Sequence, residues 1–108
     1  MSIRMRFVAP VLLVASACGA FAYQDMRIGN EFVRGDAANY ALVEKSAQAD
    51  GWTVAPATNG YDALVANKGD KRLVFATNAT NGHMGYKCEG LDGDECRDAV
   101  EKILKGTR

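Results

Sequence analysis

Three glycine-bearing turn signals, set between stretches that alternate apolar and polar residues, restrict the middle of this chain to an antiparallel meander. Asn59-Gly60 and Asn81-Gly82 read as two-residue hairpin turns, because glycine supplies the positive φ such turns require. Asn67-Lys68-Gly69-Asp70 suits a longer turn with a glycine bulge. Four strands follow, near 52–57, 61–66, 71–78 and 84–88.

These turns imply a register. A two-residue turn at Asn59-Gly60 pairs Val54 with Val65, and one at Asn81-Gly82 pairs Phe75 with Cys88 and Thr77 with Tyr86. A bulged turn at Gly69 places Val65 on the face of Leu73 and Phe75. Trp52, Val54, Tyr61, Ala63, Val65, Leu73, Phe75, Met84, Tyr86 and Cys88 then form one core face. The opposite face carries Ala55, Leu64, Val74 and Ala76, a moderately apolar surface expected to be a binding or dimer face.

Helices bracket the meander. Asp36 is a natural N-cap for a helix over 37–49, with Tyr40, Val43 and Ala47 on one side and Leu42 widening the stripe. Gly51 suits the left-handed position that ends it. Cys96, Ala99, Val100, Ile103 and Leu104 recur at i, i+3, i+4, i+7 and i+8, the pattern of an amphipathic helix. Acidic residues gather at its start, lysines stand near its end, and Gly106 closes it. The expected fold is a small single α+β domain ordered α-β-β-β-β-α, both helices on one face of a four-stranded sheet. Residues 23–34 have no clear period; Met26, Ile28 and Phe32 suit either a short strand or a packed lead-in, and the two stay open.

The first 22 residues have the order of a secretory signal: Arg4 and Arg6, an apolar run from Phe7, then Ala20-Phe21-Ala22 before a cleavage point. Phe7–Ala22 is short for a membrane span, which needs about 20 apolar residues. Cleavage after Ala22 leaves residues 23–108 as one exported domain, secreted or periplasmic. Ala15-Ser16-Ala17-Cys18 also resembles a bacterial lipoprotein signal, and that resemblance implies a lipid anchor at Cys18 as the alternative. Either way the domain keeps Cys88 and Cys96. In an oxidising compartment they are expected to form a disulfide, worth roughly 2.5 kcal/mol by loop closure.

Charge narrows the function. The 13 basic and 13 acidic residues balance, with no basic run, which excludes a dedicated nucleic-acid binder. His83 is the one histidine, and no nucleophile motif accompanies it. The acidic stretch between Cys88 and Cys96 lacks calcium-loop spacing, and two cysteines with a remote histidine are a poor zinc set. No metal, cofactor or catalytic residue is therefore assigned. Asn78-Ala79-Thr80 fits the glycosylation triplet, relevant only in a eukaryotic secretory route.

The expected function is a non-enzymatic exported module that binds a protein or envelope partner. It would use the Ala55/Leu64/Val74/Ala76 face or a rim of polar loops at Asn59, Asn81 and His83. Two alternatives stand beside it. One is a small hydrolase using His83 with a carboxylate such as Asp62, and the other a structural homodimer joined through Ala55, Leu64 and Val74.

Overall fold

The computed structural model describes residues 23–57 and 62–108. Residues 1–22, expected to be a leader and including Cys18, and the expected Asn59-Gly60 turn lie outside them. The elements are β1 (Gln24–Asp25), β2 (Arg27–Ile28), β3 (Glu31–Phe32), α1 (Ala37–Ala49), β4 (Thr53–Pro56), β5 (Asp62–Lys68), β6 (Lys71–Thr77), β7 (Met84–Glu89) and α2 (Gly93–Lys105). The expected small α+β domain, with two helices on an antiparallel sheet, is what forms. Its sheet has five strands in the order β1-β7-β6-β5-β4, and β2 and β3 make a separate hairpin.

The first helix starts at its expected cap, and both helices carry side-chain caps. The Asp36 side chain accepts a hydrogen bond from Asn39 N–H at 2.9 Å, and Gly51 takes φ 93° just beyond α1. At α2 the caps are reciprocal: Glu95 N–H donates to Asp92 Oδ1 (2.8 Å) and Asp92 N–H to Glu95 Oε1 (3.1 Å). Gly106 does stand at the end of α2, but with φ −71° rather than a left-handed turn. Its requirement is space, because a Cβ there would collide with Ser46 Oγ. Ser46 is buried and donates its hydroxyl to the Ile103 carbonyl, so α1 and α2 meet at this small-residue crossing.

Register is where expectation and structure part. The β5–β6 connection is a two-residue turn at Gly69-Asp70, closing Lys68 onto Lys71, with Gly69 at φ 63°. A two-residue turn has the opposite parity to a bulged one. It therefore pairs Leu64 with Phe75 and Ala66 with Leu73, and Val54 of β4 faces Ala66. Leu64 and Ala66 enter the core in place of Ala63 and Val65. An irregularity between Asp62 and Leu64 absorbs the extra residue at the start of β5.

The β6–β7 pairing slides by two residues, joining Phe75 to Tyr86 and Leu73 to Cys88, which preserves the faces. The loop is longer than Asn81-Gly82: Asn78 N–H donates to the His83 carbonyl (2.9 Å) and Gly82 N–H to the Asn78 carbonyl (2.7 Å). Gly82 supplies the left-handed residue at φ 76°.

The core joins Leu64, Ala66, Leu73, Phe75 and Met84 of the sheet to Val43 and Ala47 of α1 and Val100, Ile103 and Leu104 of α2. Leu42 is 45% exposed and takes no part, because it lies outside the face α1 turns to the sheet. Cys88 and Cys96 are bonded, their Cα atoms 5.9 Å apart, and tie β7 to the first turns of α2.

Asp50, at the C-terminal end of α1, is adverse to the helix dipole, yet it is surrounded by donors. Lys102 Nζ lies 3.0 Å from Oδ1, Trp52 Nε1–H donates to Oδ2 at 3.2 Å, and Lys68 Nζ is 3.8 Å away. The Lys102 hydrogen bond holds this carboxyl below its ordinary value of 3.8, against partial burial that acts the other way, with Trp52 and Lys68 adding to the lowering. A depressed folded-state pKa contributes stability above the unfolded value, and that contribution is lost as pH falls through the folded value. Asp50→Asn is expected to cost about 1 kcal/mol at neutral pH, given that Lys102 is largely exposed. In urea titrations the gap between wild type and variant should close as pH drops below 3.8.

Candidate functional site

Residues 23–34, unreadable by period, build the most distinctive surface. β1 lies along β7, pairing Gln24 with Tyr86 and Asp25 with Gly85. Met26 N–H then donates to the Met84 carbonyl (2.8 Å), the chain leaves the sheet, and it returns at Val33, whose carbonyl accepts from Met84 N–H (2.8 Å). Between these points β2 and β3 project as a hairpin, Arg27 opposite Phe32 and Ile28 opposite Glu31, turning at Gly29-Asn30 with Gly29 at φ 62°. Met26 and Val33 are buried and anchor its base.

His83 supports the hairpin from below. Its ring stacks on Phe32 with centroids 4.2 Å apart and planes 11° from parallel. The Arg27 guanidinium sits 5.0 Å from the Phe32 centroid. Phe32 remains 44% exposed. His83 Nδ1 is buried and has no hydrogen-bond partner among the described residues; it faces Asp25 Oδ2 across 3.7 Å. A groove of about 610 Å³ runs beside the hairpin, lined by Ile28, Asn30–Arg34, Asn39 and Arg108.

The structure distributes the expected site residues unevenly. Of the second-face set only Ala55 is exposed. Leu64 is in the core, through the turn parity described above. Val74 and Ala76 do face away from the core but are buried, since β6 is the central strand and carries neighbours on both sides. Val74 lies between Val65 and Lys87 in register. The homodimer surface imagined through Ala55, Leu64 and Val74 is reduced to Ala55.

In the loop rim, Asn81 is exposed and its side chain turns back on its own loop, Oδ1 accepting from His83 N–H at 2.9 Å. Asn59 lies outside the described residues. His83 has gained a cluster, with Asp25 as the carboxylate that faces it. Arg27 and Arg34 were not singled out from sequence, and Phe32 is legible there only as part of a short strand or packed lead-in. The available signal was Gly29-Asn30, a hairpin dipeptide, between two very short runs.

Among the described residues no group of His, Cys, Asp and Glu is placed to hold a metal ion, and no helix is long and apolar enough to cross a membrane. Comparison with protein-family models, curated proteins and solved structures finds no match.

Proposed function

We propose that this chain is an exported, non-enzymatic binding module for a protein or envelope partner, with the β2–β3 hairpin and the 78–83 loop as its recognition surface. The carrying observation is the Arg27–Phe32–His83 group, an exposed aromatic held in place by a ring beneath it. Aromatic residues, phenylalanine among them, and arginine are enriched at the buried centres of protein interfaces. The Cys88–Cys96 bond supports an oxidising destination, secreted or periplasmic.

Affinity capture from the native compartment tests the reading. Wild type and Ala55→Asp should retain the same partner, and Phe32→Ala should lose it, by at least about 1 kcal/mol or several-fold in affinity. Equal capture by Phe32→Ala, or loss with Ala55→Asp, would overturn it in favour of the sheet face.

The Asp25–His83 geometry favours one second reading, a hydrolase in which Asp25 orients the imidazole as general base. That reading requires His83→Ala to lower a hydrolytic activity of the protein by about 10²-fold or more. An unchanged rate removes it.

A further inference from the structure

Resting on the binding-module reading, we infer that the outer edge of β3 accepts an extended, acidic segment of a partner protein as an added strand. Val33 N–H donates to the Met26 carbonyl at 2.9 Å, the bond that flanks a non-hydrogen-bonded Arg27–Phe32 pair, while Met26 N–H is given to Met84. The Phe32 N–H and carbonyl therefore point away from β2. The same alternation continues through the bridge between Arg34 and His83: Met84 N–H donates to Val33 and Gly35 N–H to the Gly82 carbonyl (2.9 Å), leaving the Arg34 backbone directed outward too. The Arg34 carbonyl is taken by the Asn39 side chain at 2.9 Å. Two N–H groups and the Phe32 carbonyl remain as an edge without a strand.

The groove runs along that edge. Successive residues of a strand point to opposite faces, yet Glu31, Phe32, Val33 and Arg34 all line it, which places the opening beside the backbone rather than over one face. Peptides that add a strand use such an edge for affinity and the flanking side chains for selection. Three arginines stand here, Arg34 and Arg108 in the lining and Arg27 over Phe32, against Glu31 and against Asp36, which lies 4.0 Å from Arg34, so the surroundings keep a net positive charge. Charge complementarity therefore selects an acidic segment.

The test uses the protein purified from the cells that export it, with two capped octapeptides as probes. One alternates glutamate and valine; the other has lysine in place of glutamate. The glutamate peptide should slow hydrogen exchange at the Phe32 and Arg34 amides and bind about fivefold more tightly than the lysine peptide, the worth of one or two exposed ion pairs. Arg34→Ala should weaken it by loss of charge. Arg34→Pro should weaken it further by loss of the outward N–H, which no strand in the fold uses.

Equal binding of the lysine peptide, protection elsewhere on the molecule, or self-association through this edge would overturn the inference, and wild-type exchange decides it if Arg34→Pro misfolds. A captured partner that leaves the Phe32 and Arg34 amides unprotected removes the added strand while leaving the binding-module reading in place. Absence of any captured partner removes the module reading itself.

Discussion

Leu64→Asp is expected to unfold the protein, whereas Val65→Asp should cost only about 1 kcal/mol. The two positions are adjacent in sequence and opposite in orientation. Leu64 packs among Phe75 and the helices, and a carboxylate there has no partner within the core. Burying it unpaired costs more than about 4 kcal/mol, a large part of the total stability of a domain this size. Val65 is half-exposed on the other face, where water reaches a new charge. Circular dichroism and urea titration of the two variants separate the alternatives cleanly. A folded Leu64→Asp beside an unfolded Val65→Asp would mean that the bulged-turn register is the real one.

Breaking the Cys88–Cys96 bond has the second-largest expected effect. Paired replacement by serine should lower stability by roughly 2.5 kcal/mol, from the conformational freedom regained by the unfolded chain. For a domain of this size that corresponds to a fall of about 10–20 °C in melting temperature. The loss should be largely local in its structural consequence. Val100, Ile103 and Leu104 still seat α2 on the sheet, and the Asp92–Glu95 cap still starts it. Amide exchange should accelerate around residues 88–96 before the central strands respond. An unchanged melting temperature would show that the bond adds nothing to the folded chain.

How much of this was legible in the residues varies with the length of each signal. α2 could be read directly, because five apolar positions repeat over three turns and charge follows the dipole. α1 was readable by its ends, Asp36 and Gly51, and by Tyr40, Val43 and Ala47, which do turn to the core; only the widening of that stripe to Leu42 failed. Its crossing with α2 runs through Ser46, a small polar residue that a search for apolar periodicity passes over, while Leu42 stays in solvent. The strands were located correctly, yet their faces hung on one turn. Gly69 has positive φ in either turn type, so composition did not reveal whether two or three residues separated the strands, and that parity decided between Leu64 and Val65.

The candidate site was least accessible of all. A period needs several residues to show itself, and β1, β2 and β3 have two each. Asp25, Phe32 and His83 are brought together by a segment that leaves the sheet at Met26 and rejoins it at Val33. Only the folded chain makes them neighbours.

That departure and return at a single residue has an evolutionary consequence. Because Met26 and Val33 both bond to Met84 and are themselves joined, the six residues between them form a cassette whose ends are already closed. Its sequence and length can drift, or be exchanged for another, without disturbing the scaffold beneath. A lineage carrying this fold can thus vary Arg27–Phe32 while Met26, Val33 and Met84 stay fixed.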